Sequence, residues 1–473
     1  MLFPFFAPVL AWEGDATAQV AVEASAVTGV SSTNGYALAL AAASARSQLS
    51  MRSPRTYFTF DAAGRYGQAL AATLAAPPPT DISGSLATRG DFVTSPHTAL
   101  SFSVDGFLAS RLGLRVDNDL AARDPFLRNR LVYTVGGRMG FTAVTSPRGA
   151  LRLEGGYAQA GALDADSPDA VGLDSHAVQG SAAYTYDVTR SDRIGPLVRV
   201  GFTHFEHALL DTNLRRGPAD VTTATALATY NHEFTARLEG LANLGVTVAN
   251  PPPILQDADT VVAPDVRLGA TYFGRRYRTA AAYNYSYRSL GPRIGFGYEH
   301  GATLEISGRP RDGREFRDVR LSAMGRFRYG TAPLAATPRL GLPPSEASLE
   351  GSLTTTGFAA GGGIDVPLTL GVMFTARLDL ELITARLDPA PSGVNPAPML
   401  RSMLTIALTA IGSTDPMRRV PRDPEANAED RPLEMLRDER ARTPAFEDVD
   451  GAPADPNDEY DYRDDRDYEI ENY

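Results

Sequence analysis

The sequence predicts an all-β fold: a single closed antiparallel transmembrane β-barrel of about 18 strands, followed by an acidic disordered tail. Three observations predict it. Apolar and polar residues alternate with period 2 through most of the chain, the alternating segments are long, and the connections between them switch regularly between tight and extended. One hairpin fewer would make the count 16.

The alternation is plain in three stretches. In 129–144, Leu131, Tyr133, Val135, Met139 and Phe141 share one parity, while Arg130, Thr134, Arg138 and Thr142 share the other. In 277–289, Tyr277, Ala281, Tyr283, Tyr285 and Tyr287 oppose Arg278, Asn284, Ser286 and Arg288. In 367–382, Leu368, Leu370, Val372, Phe374, Leu378 and Leu380 oppose Thr369, Thr375, Arg377, Asp379 and Glu381. Successive strand side chains point to opposite faces, so each segment has one apolar and one polar face. A soluble sandwich would alternate too, but its strands usually run about 5–6 residues, and these run to about 12–16.

Tight turns fall near 52–55, 94–96, 145–148, 189–193, 231–234, 274–276, 310–315 and 363–366. Longer connections lie near 66–83, 111–128, 162–174, 209–218, 250–263, 330–349 and 383–398, with a short exception at 290–293. Short turns at one rim and long loops at the other are the habit of barrels that cross an outer membrane. An even strand count puts both barrel ends at the turn rim.

Composition narrows the chemistry. The 473 residues include no Cys and no Lys, so all 45 basic residues are Arg. Thiolate catalysis, disulfides, Cys-bound metals, Schiff bases and a P-loop lysine are excluded. No apolar run reaches the length of a membrane-spanning helix, which says nothing against strands that hide a lipid face in alternation. Residues 1–413 carry 36 acids and 36 Arg, and 414–473 carry 20 acids and 9 Arg, so the tail holds the whole formal charge of −11. No basic footprint for nucleic acid exists.

The two ends stand apart. Residues 1–18 resemble a secretory signal peptide, with an apolar stretch from Leu2 to Ala11 and small-x-small sites at Val9/Ala11 and Ala16/Ala18. The barrel is expected over 19–413. Residues 414–473 are Pro-punctuated and acid-rich, a composition that cannot offset its ordering entropy. Drawn into an Arg-bearing lumen, this tail would gate it, and its deletion would then raise conductance in planar bilayers.

Hairpins such as RTYFTFDAAGRYG and GPLVRVGFTHFEH, joined by SPR and TRSDR turns, resemble the outer-membrane β-barrel (porin-like) proteins of Gram-negative bacteria, in the style of barrels that accompany exopolysaccharide export systems. The likeness covers about 17–412 and is one of architecture. It implies an outer-membrane location with the tail in the periplasm, outer-membrane lipid as surroundings, a periplasmic polysaccharide-export protein as partner, and no cofactor. The family usually ends its chain on an aromatic residue of the last strand. Here MLRSMLTIALTAIG lacks one, and the tail follows.

A barrel this wide holds water unless plugged. Its expected lumen-lining residues are Arg138, Arg152, Glu154, Arg199, Arg267, Arg278, Arg288, Arg320, Arg326, Arg328, Arg377 and Asp379. Guanidinium forks suit carboxylates and sugar hydroxyls. Cross-strand salt bridging that stiffens the wall accounts for any single one of them equally well. Tyr184, Tyr186, Tyr272, Tyr283, Tyr285, Tyr287 and Tyr329 share the outward parity expected of interfacial anchors. His204 and His207 fall on opposite faces and cannot chelate one metal, and His300 sits on an apolar parity. Neither a GxSxG nor an HExxH motif is present, so the barrel phospholipases and omptin-like proteases find no counterpart, and no enzyme is expected. The expected function is a pore for a polar solute or polymer, with exported polysaccharide as favoured cargo. The alternative is a structural or adhesive barrel that binds partners through loops and tail. The sequence leaves the oligomeric state open.

Overall fold

A computed structural model of the chain describes residues 13–31, 35–53, 55–72, 80–110, 131–162, 174–209, 216–250, 260–274, 276–291, 295–308, 319–333, 352–369, 371–388 and 399–413. They form eighteen strands. The first nine are β1 (Glu13–Ser31), β2 (Gly35–Ser53), β3 (Thr56–Ala72), β4 (Thr80–Ser95), β5 (Thr98–Ser110), β6 (Leu131–Ser146), β7 (Gly149–Ala162), β8 (Ser175–Asp187) and β9 (Asp192–Leu209). The rest are β10 (Arg216–Thr235), β11 (Leu238–Asn250), β12 (Val261–Phe273), β13 (Tyr277–Gly291), β14 (Gly295–Gly308), β15 (Arg320–Pro333), β16 (Ser352–Thr369), β17 (Val372–Asp388) and β18 (Met399–Ser413).

Each strand pairs antiparallel with its neighbours in sequence, and β1 also pairs with β18 through Val20↔Ala410, Val22↔Leu408 and Ala24↔Ile406. Closure satisfies both edges of the sheet, which an apolar surrounding requires. The register carries one parity round the wall. Val22 on β1 faces outward beside Ala43 of β2, Ala43 stands opposite Tyr66, and Tyr66 opposite Ile82. Val22, Leu70, Met139 and Val262 are exposed on this outer face, as are many other large apolar side chains. Water would not hold such a surface; hydrocarbon does.

β1 begins at Glu13, and Glu13 to Ala18 pair with Arg52 to Ser47 of β2. The wall therefore starts ahead of residue 19, the expected boundary, and cleavage after Ala18 would remove paired strand. At the other end β18 stops at Ser413. The expected leader, Met1 to Trp12, and the expected tail, 414–473, lie outside the described residues.

The tight turns collect at one rim, called here the turn rim, with both barrel ends. Three connections depart from expectation. The turn expected at 363–366 lies inside β16, because Gly361, Gly362 and Gly363 continue the strand, and the positive φ falls at Gly371, 83°, just before β17. The turn expected at 231–234 lies inside β10, with the reversal at 236–237. The connection between β14 and β15, expected to be tight, spans 309–319.

No central core fills the barrel among the described residues. Apolar contacts instead gather in three patches on the inner face. These are Val27, Leu40 and Met403; Val221, Ala249, Ala263 and Tyr287; and Val93 with Ala99.

Candidate functional site: the inner wall

The inner face is built from one recurring unit, a carboxylate at the wall with a guanidinium laid over it. Along a strand, residues i and i+2 share a face, and four units use that spacing. They are Arg89–Asp91 on β4, Arg152–Glu154 on β7, Asp265–Arg267 on β12 and Arg377–Asp379 on β17. Three more cross between neighbouring strands, and a fourth reaches over one strand. Arg46 on β2 donates to Asp61 on β3 at 2.6 Å, and Arg65 on β3 reaches back to Glu23 on β1 at 3.0 Å. Arg193 on β9 donates to Asp187 on β8 at 2.8 Å, and Arg401 on β18 to Glu381 on β17 at 2.7 Å.

In four of the eight units the arginine is clearly more exposed than its acid, whereas Arg193 and Asp187 are matched and Glu154 is more exposed than Arg152. The Asp265 side chain is 4% exposed and that of Arg267 is 40%; the corresponding values are 9% and 45% for Asp379 and Arg377. Asp61 and Arg46 follow the same order, 10% against 41%. The short carboxylate stays near the backbone, and the long guanidinium stem carries its charge inward. Hydroxyls complete several units: Ser44 donates to Glu23 at 3.2 Å, and Thr247 to Asp265 at 3.4 Å. Buried carboxylates cost several kcal/mol unless so paired. Acids and arginines are equal in number over 1–413, and in the units of Asp61, Asp265 and Asp379 the guanidinium is the partner nearer the lumen.

β16 makes room for this layer. It turns Gly357, Ala359, Gly361 and Gly363 inward between β15, which carries Arg326 and Arg328, and β17. A Cβ on Gly361 would meet the Asp379 Oδ1 at 2.4 Å. Glycine there lets the acid lie flat beside the wall.

Of the residues expected to line the lumen, Arg138, Arg152, Glu154, Arg199, Arg267, Arg278, Arg320, Arg326, Arg328, Arg377 and Asp379 all take the inward parity. Arg288 takes that parity opposite Gly297, and its side chain lies outside the described residues. Arg278 has its guanidinium carbon 5.6 Å from the Phe273 ring centroid, a cation–π contact on the inner face. The expected set missed Arg46, Arg65, Arg89, Arg193 and Arg401. A signal was present, since Arg89-Gly-Asp91 repeats the charge-x-charge spacing of Arg152-Leu-Glu154.

The outward tyrosines hold their parity, with one exception in position: Tyr287 is 4% exposed and packs on the inner-face residues Val221, Ala249 and Ala263. His300 does face outward. It stands in an aromatic enclosure, with its Nδ1 2.9 Å from the Tyr283 hydroxyl and its ring centroid 4.5 Å from that of Tyr285. Toward the loop rim, His176 lies between Tyr157 and Glu206, and His204 pairs with Asp220. At the turn rim, hydrogen bonds from Thr189, Tyr230 and His232 hold the Asp192 carboxyl well below the usual carboxylate range. No cluster among the described residues has the ligands for a metal ion.

Fold and site together define a closed 18-stranded antiparallel barrel with an apolar exterior and an interior lined by arginine–carboxylate pairs. No family model matches the chain, and no curated protein does. Among solved structures it is similar to OccK2 (OpdF) of Pseudomonas aeruginosa, at a TM-score of 0.44 and 12% identity over 84% of this chain and 98% of that one. The outer membrane protein OpdK of the same species gives 0.44 and 10%, covering 84% and 99%. OccAB3 of Acinetobacter baumannii gives 0.41 and 11%, with the same coverage.

Proposed function

We propose that the chain is an outer-membrane pore that admits polar solutes through its lumen and favours anions. The observation that carries this reading is the unequal burial of four wall pairs, with Asp61, Asp91, Asp265 and Asp379 at the wall and Arg46, Arg89, Arg267 and Arg377 toward the lumen. Rings of fixed charge set ion preference in channels, and guanidinium forks bind carboxylates and phosphates in two-point fashion. The turn rim, where both barrel ends lie, faces the periplasm in this reading, so the tail follows there. The narrower cargo is an exported acidic polysaccharide, whose repeating carboxylates and hydroxyls suit such a wall, delivered by a periplasmic polysaccharide-export protein.

Reconstitution into planar bilayers under a potassium chloride gradient tests the pore. A reversal potential on the anion side is expected. A folded barrel that inserts without conducting would return the structural or adhesive reading. Loss of secreted polysaccharide in a deletion strain tests the narrower cargo.

A further inference from the structure

The two rims of the barrel differ in charge. Eight connections lie at the turn rim, at 54–55, 96–97, 147–148, 188–191, 236–237, 274–276, 309–319 and 370–371, and nine lie at the opposite, loop rim. The turn-side connections hold ten arginines and three acids, and the loop-side ones eight arginines and twelve acids. Including the three strand residues beside each connection and at the two barrel ends still leaves fourteen arginines to nine acids at the turn rim. Residues 1–413 are neutral as a whole, so charge is separated along the barrel axis.

The excess is spread round the rim. Arg55, Arg148, Arg190, Arg237 and Arg276 are exposed, each in a different tight turn between β2 and β13. Inside the wall, arginines such as Arg152 and Arg377 are matched by an acid two residues away. The turn-side connections are short of acids to match their arginines.

The complementary charge lies in residues 455–473, which hold nine acids and two arginines, interleaved with Tyr460, Tyr462, Tyr468 and Tyr473. The segment is attached at the same rim, where Ser413 of β18 pairs with Thr17 of β1. Residues 414–454 can span at most about 140 Å. Eighteen strands about 4.8 Å apart, tilted by about 40°, make a mouth roughly 35 Å across. Every turn of the rim is therefore within reach. Fully extended, residues 455–473 cover up to about 65 Å, close to the arc of about 60 Å between the turn of Arg55 and that of Arg276. Guanidinium forks bind carboxylates at two points and stack on aromatic faces, which suits a segment that alternates acid and tyrosine.

We propose that residues 455–473 dock as an acidic strap on the turn-rim arginines and stay out of the lumen. The strap occupies a surface that phosphate headgroups would otherwise contact. The proposal goes beyond the pore reading and needs neither conduction nor a particular cargo.

The experiment uses the full chain, one barrel per phosphatidylcholine vesicle, and exploits the absence of native cysteine. Asn472→Cys is combined in turn with Ala236→Cys at the turn rim, Ser103→Cys on the inner wall, and Ser175→Cys at the loop rim. A short bis-maleimide then links cysteines that lie close, and peptide mass spectrometry measures the yield. In dilute buffer the Ala236 pair is expected to link about tenfold more than either other pair, as local tethering predicts. Raising salt from about 0.1 M to about 1 M shortens the Debye length from about 10 Å to about 3 Å and should remove most of that excess. Arg55→Gln, Arg148→Gln, Arg190→Gln, Arg237→Gln and Arg276→Gln together should cause the same loss at low salt, in a barrel that keeps its heat-dependent gel mobility. Asp461→Asn, Asp464→Asn, Asp465→Asn and Asp467→Asn together should reproduce it without touching the barrel. Preferred linkage at Ser103 would put the segment in the lumen and overturn the proposal. Linkage at Ala236 that ignores salt and both sets of substitutions would overturn it as well. In vesicles containing phosphatidylglycerol the Ala236 linkage should persist, and its collapse there would assign the rim to lipid phosphate instead.

Discussion

Asp91 is fully buried on the inner face of β4, and Arg89, two residues before it on the same strand, donates its Nε to Oδ2 at 3.0 Å and its Nη2 to Oδ1 at 3.2 Å. The two-point fork fixes the carboxylate and supplies its counter-charge from the lumen side. Removing the arginine alone strands a buried charge. Arg89→Met is expected to destabilise the barrel by roughly 3–5 kcal/mol, and Arg89→Met with Asp91→Leu to recover most of that loss. Urea titration of the barrel in lipid vesicles, followed by its heat-dependent gel mobility, reads the difference. A double variant as weak as the single one would show that the pair does more than neutralise itself.

Arg278 offers a cleaner handle on ion preference. It is exposed on the inner face near the turn rim and stacks over Phe273, so its loss leaves no buried acid behind. Arg278→Gln should move the reversal potential toward the cation side with little change in stability, within about 0.5 kcal/mol. Arg278→Glu should move it further in the same direction. A reversal potential indifferent to both would place the selective charges elsewhere in the wall.

The parity of the strands was legible because each one answers two different solvents. In 131–144 and 372–382 the alternating apolar residues do face out and Arg138 and Arg377 in, since a slip of one residue would put Arg138 or Asp379 into hydrocarbon. The wall pairs of β2 to β4 were harder to read. β2 runs through AAASARSQLS, where small residues on both faces blur the alternation around Arg46. Glycine misled at 363–366. Gly361 and Gly363 look like a turn but serve close packing against Asp379 and Arg377, and the positive φ falls later, at Gly371. Nothing local to Tyr287 announces that it clusters with Val221, Ala249 and Ala263, because that depends on the β12–β13 ladder ending at Val266↔Tyr285. Only Pro264 hints at it.

Closure between the first and last strands can be trapped covalently. The Ser25 and Thr405 hydroxyl oxygens lie 3.2 Å apart, and the residues are Cα partners across β1 and β18. With no native cysteine to compete, Ser25→Cys with Thr405→Cys should oxidise to near completion in the folded barrel and not in urea. Mobility on a non-reducing gel distinguishes the two. The same ladder bears on processing: Thr17↔Ser413 and Ala18↔Gly412 belong to it, so the mature N-terminus is expected after Ala11. Mass spectrometry of the secreted-side product would show Trp12 as first residue, and a start at Gln19 would contradict this.

Two glycines of the wall should respond in opposite ways to one added methyl. At Gly195 on β9, a Cβ would fall 1.7 Å from the Tyr184 carbonyl oxygen and 3.2 Å from the Thr185 Cα, so backbone itself would have to move. The β8–β9 ladder has no room to yield, because it must rejoin at Tyr186↔Ile194 immediately beyond. At Gly155 on β7, nothing lies within 4 Å, and the new methyl would point outward beside Met139 and Gly180. Gly195→Ala is therefore expected to cost about 2–3 kcal/mol, in the range of overpacking in a close-packed interior. Gly155→Ala should be neutral or stabilising by about 0.5–1 kcal/mol, since it removes glycine's unfolded-state freedom from an extended strand. Parallel urea titrations of the two variants in vesicles decide the matter. Equal effects would mean that the carbonyl of Tyr184 can retreat, and that the wall between β8 and β9 is softer than its register implies.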